Sequence, residues 1–270
     1  MERQLLKDTC VRENGGSRYA ELFCSLSKLH EDELDDGSGN ALEEFKYIDS
    51  STALGVNFFL LYEQIHPKAN IIFEWDKSSP LKVGGKSNID IRVQEDKIIT
   101  FYESKFLEPY YMCNSRFTES YSLKENYYDH WKFTDEELVS ILRDFQSFTY
   151  YNASQLFRHL LAIVNHIVHN KDLYKDITSV VLNSISWKME DEYLNLLNLS
   201  RRSRSYAIKR MNILKQEETD VKDMIQRFID HYVTDIIPKD ITLSFETSTY
   251  NNNVSLINNH KEFKNRYFIR

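Results

Sequence analysis

The hydrophobic pattern of the chain opens with Leu5, Leu6, Leu22, Phe23, Leu26 and Leu29, which recur at helical spacing and predict a helical start over 1–29 with these positions buried. Residues 30–40, HEDELDDGSGN, carry acids, Gly and Ser, and predict a solvated surface loop. A helical segment is expected from Ala41, interrupted over 48–51, where Ser50 and Ser51 supply N-caps for TALGVNFFLLYEQI. That run is apolar nearly all round, which marks a buried helix, and His66-Pro67 closes it. Residues 69–76 have strand composition and 78–86 form a loop ending in Gly84-Gly85. The stretch 87–107, SNIDIRVQEDKIITFYESKFL, predicts a β-hairpin. After it, 108–136 is aromatic and polar without clear periodicity and is expected to be an elaborated loop with short elements. Helices are predicted at 135–148, 153–170, 191–199 and 206–232, the last with Glu217 as the place for a break. Strands are predicted at 177–189 and 241–250, and a short helix over 254–270. This order of elements predicts one α/β domain.

The hairpin permits a register. With Asp96-Lys97 at the centre of a tight turn, paired positions sum to 193. Asp90 then lies opposite Glu103 and Arg92 opposite Phe101, while Glu103 and Lys105, two apart, share a face. The other face carries Ile89, Ile91, Val93, Ile98 and Tyr102, suited to packing on helices.

Composition narrows the class. The chain has 270 residues, 17 Tyr and 16 Phe, but only 7 Gly and 4 Pro, which favours long helices over a many-turned β sandwich. No run reaches the ~18 apolar residues of a membrane span, and the N-terminus lacks a secretory pattern. Three cysteines, Cys10, Cys24 and Cys113, show no CxxC spacing, so neither a disulfide framework nor a zinc site is suggested. The expectation is a cytoplasmic protein with no membrane partner. A net charge of −7 argues mildly against nucleic acid, although binding follows the local patch and a carboxylate cluster adds negative charge of its own.

Two carboxylates facing each other across a hairpin repel unless a cation sits between them. Mg²⁺, with Mn²⁺ as substitute, suits oxygen ligands and keeps several waters. Bound by Asp90 and Glu103, it would polarise a phosphate, lower the pKa of an attacking water and neutralise a leaving oxygen, with Lys105 serving the water or the transition state. The plain alternative is a pair of surface ion pairs, Lys105 and Arg92 with Glu103 and Asp90.

Asp followed by Glu-x-Lys is the residue pattern of the PD-(D/E)XK nuclease superfamily, and the chain resembles uncharacterised prokaryotic restriction-endonuclease-like proteins of that group. IDSSTALGVNFF (48–59), SNIDIRV with FYESKFLEPY, SQLFRHLLAIVNH (154–166) and the terminal HKEFKNRYF carry the resemblance. It implies a restriction-endonuclease-like α/β core, a mixed central sheet flanked by helices with helical elaborations. The expected layout is an N-terminal helical part (1–47), a catalytic core (48–189) and C-terminal helices with a last strand (190–270). It also implies Mg²⁺-dependent hydrolysis of DNA phosphodiesters in defence against foreign DNA, with RNA the other substrate and a homodimer the other assembly. A further acidic metal ligand from the N-terminal helical part is implied, with Glu43 first and Glu44 and Glu63 behind it.

Two further groups are candidates. Gln155, Arg158, His159, Ala162, His166 and His169 recur on one face of the helix that opens near Asn152, and Gln155 would sit near the metal or phosphate at the helix N-terminus. The three histidines are too spread along that helix for one zinc. Ser200–Lys215 holds Arg201, Arg202, Arg204, Lys209 and Arg210 without an acid, the best stretch for nucleic-acid contacts, or a solvated face pairing with the acidic 217–223 segment. The rival from another class is a catalytically silent module on the same fold that binds nucleic acid or a protein and keeps the hairpin for stability.

Overall fold

The computed structural model describes residues 22–36, 50–106, 108–110, 116–189, 194 and 200–267. Helices α1 (Lys28–Asp36) and α2 (Ser51–Glu63) precede strands β1 (Asn70–Trp75), β2 (Ile89–Glu95) and β3 (Ile98–Lys105). Helices α3 (Asp135–Phe145) and α4 (Ala153–His169) lead to β4 (Ser179–Ser186), and α5 (Arg201–Phe228) leads to β5 (Thr242–Thr249) and α6 (His260–Tyr267). The strands form one mixed sheet in the order β1-β2-β3-β4-β5. The first three run antiparallel, while β3, β4 and β5 are parallel neighbours whose long connections carry the helices. This is the α/β, restriction-endonuclease-like core, a mixed sheet flanked by helices, that the sequence predicts.

Each face of the sheet is covered. On one, Ile99 and Phe101 of β3 and Leu182 of β4 meet Leu142 of α3, Phe157 of α4 and Phe228 of α5. On the other, Ile91 of β2 meets Leu54, Phe58 and Phe59 of α2 and Phe263 and Tyr267 of α6. α2 is buried on every side from Ala53 to Leu61, as its all-round apolar sequence requires, and Ser50 caps it by accepting from Ala53 N at 3.2 Å. Gly55 is needed there: a Cβ would lie 3.0 Å from Ile91 Cδ1 and 3.2 Å from Ser104 Oγ, so its absence lets α2 approach the hairpin.

The hairpin register matches the predicted sum, with Ile91 opposite Tyr102 and Arg92 opposite Phe101. Asp96 takes the turn's left-handed position at φ 51°. The expected apolar face is only partly right. Ile91 and Val93 pack toward α2, but Ile98 is exposed and Ile89 joins the opposite core beside Trp75. The switch falls next to Glu74, held at φ 50°, a local break in the pleat of β1.

Several other expectations need correction. Residues 28–36 are helical and not a solvated loop: His30 and Leu34 are buried, and Glu33 Oε2 accepts from Phe73 N at 3.0 Å. An acidic-looking segment therefore covers the β1 edge, a use its composition does not reveal. Residues 22–27 are not helical, and Leu29 is exposed, whereas Leu22, Phe23 and Leu26 pack partly against the α2 core. α5 runs unbroken past Glu217 and ends in a π-helical turn, Ile229–Val233. The expectations for 1–21, 41–47 and most of 191–199 lie outside the described residues.

Candidate active site

The C-terminal end of β3 carries the two residues around which the site forms. Glu103 is 1% exposed, and a buried carboxylate must be compensated by charge and hydrogen bonds. Lys105, two residues along the same face, places Nζ 2.5 Å from Glu103 Oε1. His159, in the second turn of α4, places Nε2 2.8 Å from Oε2, and its Nδ1 lies 2.7 Å from Ser87 Oγ. The result is one hydrogen-bonded chain, Ser87–His159–Glu103–Lys105, spanning the loop before β2, α4 and β3.

Asp90 sits on the adjacent strand, and its Oδ2 accepts from Ser104 N at 2.7 Å. Burial, then the negative charge of Glu103, pushes its carboxyl well above the ordinary carboxylate range, with Glu74 adding to the effect. Glu103 behaves oppositely. Burial raises it, but the Lys105 ammonium and His159 overcome that and hold it below its ordinary value. Lys105 stays firmly protonated because Glu103 and Asp90 outweigh its own desolvation. The pair is thus divided into one settled carboxylate and one whose burial and repulsion the shared Lys105 charge does not offset.

Asp90 and Glu103, on adjacent strands, supply two carboxylates, oxygen donors of the kind that Mg²⁺ takes. Among the described residues no three His, Cys, Asp or Glu converge as metal ligands, so water and substrate oxygens would complete the shell.

A cavity of about 210 Å³ opens beside Glu103 and Lys105. One wall is the loop before α4, whose position is set by an unusual clamp. Glu217 of α5 accepts from three consecutive backbone N–H groups, Thr149 at 2.7 Å, Tyr150 at 2.8 Å and Tyr151 at 2.9 Å. Tyr151, hydrogen-bonded to Ser184, has its phenol pushed up by burial.

The structure brings Asp90, Glu103 and Lys105 together. Gln155 lies at the first turn of α4, where its side chain accepts from Asn152 Nδ2 at 2.8 Å, and it is not among the residues bordering the cavity. Glu43 and Glu44 lie outside the described residues; Glu63 is described, 3.9 Å from His30 Nε2 and so engaged at α1. Arg201, Arg202, Arg204 and Lys209 are exposed on α5. Arg210 is half-buried: its Nη1 donates to Tyr110 O at 2.7 Å, and its guanidinium lies 5.4 Å from the Tyr206 ring and 5.6 Å from the Tyr150 ring. It braces the cavity wall. The 217–223 acids do not simply neutralise this basic stretch, since Glu217 is committed to the 149–151 loop.

One contributor was named in the sequence without its role, and another escaped it. His159 lies on the polar stripe of α4, but its partner 56 residues away was not visible. Glu74 had no motif to mark it; its left-handed backbone is a signal only in three dimensions.

Residues 21–233 match the family described as restriction endonuclease associating with ARP. The chain belongs to that family. No curated protein and no solved structure matches it. Membership agrees with the restriction-endonuclease-like core and places α2, the hairpin, α4 and all of α5 within the shared region. Among the described residues no helix is long and apolar enough to cross a membrane.

Proposed function

We propose that this protein is a PD-(D/E)XK nuclease, a Mg²⁺-dependent endonuclease that hydrolyses DNA phosphodiester bonds in defence against foreign DNA. The observation that carries the reading is the division of labour between the two carboxylates. Asp90 is half-buried beside Glu103 with its Oδ2 on Ser104 N, while the buried Glu103 is fixed from both sides by Lys105 and His159.

Asp90 and Glu103 would hold the metal, which when bound polarises the scissile phosphate and lowers the pKa of an attacking water. Lys105, permanently cationic and bordering the cavity, orients that water or stabilises the charge that develops on the phosphoryl oxygens. His159 and Ser87 hold the Glu103 carboxylate in one orientation, which keeps the ligand geometry ready before substrate arrives. Arg201, Arg202, Arg204 and Lys209 present an exposed cationic stretch for backbone phosphates in the first turns of α5, the helix whose Leu214 and Glu218, farther along, border the cavity.

One observation favours a second reading. Both oxygens of Glu103 already have cationic or hydrogen-bonding partners at 1% exposure, as they would in a silent module that keeps the hairpin for stability. Plasmid nicking with Mg²⁺ separates the two. Wild type should nick while Asp90→Ala and Lys105→Ala fall by at least about 10²-fold; equal rates in all three would leave only the silent module.

A further inference from the structure

We infer that the cavity beside Glu103 and Lys105 receives a nucleobase drawn out of its stack, so that the preferred substrate is a single-stranded or locally opened strand. The inference rests on the nuclease reading for its link to phosphate chemistry, but its own support is the cavity.

Size comes first. At about 210 Å³ the space equals several water molecules at about 30 Å³ each and has room for one planar heterocycle. Its walls suit such a ring. Tyr150, Tyr151 and Trp187 border it together with Leu156 and Leu214. Trp187, buried and with its indole N–H on Tyr267 O at 2.7 Å, backs the wall, and the half-buried Tyr150 and Tyr151 supply the ring surface. Aromatic walls bind any base by stacking, without a sequence code.

Charge then selects which part of a nucleotide enters. Glu108 and Glu218 border the cavity along with Glu103, against the one cation Lys105. An anionic phosphate is disfavoured inside, whereas an uncharged base with amino donors is welcome. Asn152 and Ser186 add the few polar groups that orient a ligand in an otherwise apolar pocket. Because Glu103 belongs both to the carboxylate pair and to the cavity wall, with Lys105 beside it, a phosphate held at the pair would have its base next to the cavity.

The pocket is also preformed. The three N–H bonds to Glu217 fix the loop that carries Tyr150 and Tyr151, and Arg210 lies near the rings of both Tyr150 and Tyr206. A base entering a rigid slot loses less affinity to ordering of the protein.

The test is binding of two strands of equal length and charge in EDTA, where metal-dependent cleavage is off: an oligodeoxyadenylate and its abasic counterpart with tetrahydrofuran in place of every base. Wild type should hold the base-bearing strand about tenfold tighter. Tyr150→Ala and Leu214→Trp, one removing a stacking face and one filling the space, should each erase the difference while keeping wild-type affinity for the abasic strand, which also reports that they fold. Equal binding of both strands by wild type, or a preference that survives both variants, overturns the pocket. Mg²⁺-dependent nicking by wild type against Asp90→Ala reports separately on the nuclease. A protein that nicks without telling the strands apart keeps that reading and loses this one; one that tells them apart without nicking does the reverse.

Discussion

The two faces of strand β3 bury polar groups in opposite ways. Toward α2, Ser104 Oγ donates to Ser51 O at 2.9 Å and lies 2.8 Å from Tyr250 Oη, while Asn57 Nδ2 donates to Tyr267 Oη at 2.9 Å. These side chains are neutral, and a charge beside them, Arg266, is hydrogen-bonded to the Tyr267 phenol. Toward α4, one residue away, Glu103 and Lys105 are charged, tied to His159, and bordered by a cavity. Neutral networks specify how helices dock. A charged one with a strained carboxylate beside it costs stability at neutral pH and is the kind of arrangement that chemistry requires. The contrast separates scaffold from site within a single strand.

The sharpest way to break the contrast is His159→Leu. It leaves the buried Glu103 with Lys105 alone, and we expect a loss of about 3 kcal/mol in stability together with an activity drop of about 10²-fold or more. His159→Gln, which retains a donor, should recover part of both. Urea melts and nicking rates measure the pair; a variant with wild-type stability and rate would place His159 outside the site.

The neutral face should respond differently. Gly55→Ala pushes a methyl against Ile91 and Ser104 and should cost about 1–3 kcal/mol, while cleavage per folded molecule stays at the wild-type level. A rate loss beyond the loss of folded protein would mean that the α2 face also takes part in the chemistry.

A smaller effect concerns pH. His166, against Trp75 and hydrogen-bonded to Tyr174, is depressed to about 4 by burial, then by Arg92 and His169. Below its ordinary value of 6.5 the unfolded chain binds a proton that the folded one resists, so stability present above that pH is lost as pH falls toward about 4. His166→Gln should flatten the dependence of melting temperature between pH 7 and pH 5, with little change in cleavage at neutral pH.

How much of this was legible in sequence varies with the range of the interaction. The hairpin register followed from turn length and alternation alone, because both are local, and α2 followed from its all-round apolar run. The helix at 28–36 did not, since Glu33 and His30 acquire their roles only against β1. Nor did His159, which pairs with a residue on another element. The cavity was out of reach for the same reason, as β3, the loop before α4, the end of β4 and α5 each supply part of its wall. Gln155, singled out at the right end of the right helix, turns its side chain to Asn152, its own capping neighbour.

Asp90→Asn gives the most direct test of the split between scaffold and site. The Asp90 carboxyl is pushed up by burial and by Glu103, so the fold binds its proton more tightly than the unfolded chain does. Stability is therefore fullest below the ordinary carboxylate pKa of 3.8 and is lost as pH rises through the folded value, which leaves the ionised group a burden at neutral pH. Asn lifts that burden and can still accept from Ser104 N. Melting temperature and Mg²⁺-dependent nicking, measured on the same metal-free preparation before and after Mg²⁺ is added, should show a variant that melts a few degrees higher than wild type, at about 2–4 °C per kcal/mol, and does not cut. A variant that melts lower and cuts at the wild-type rate would contradict the account.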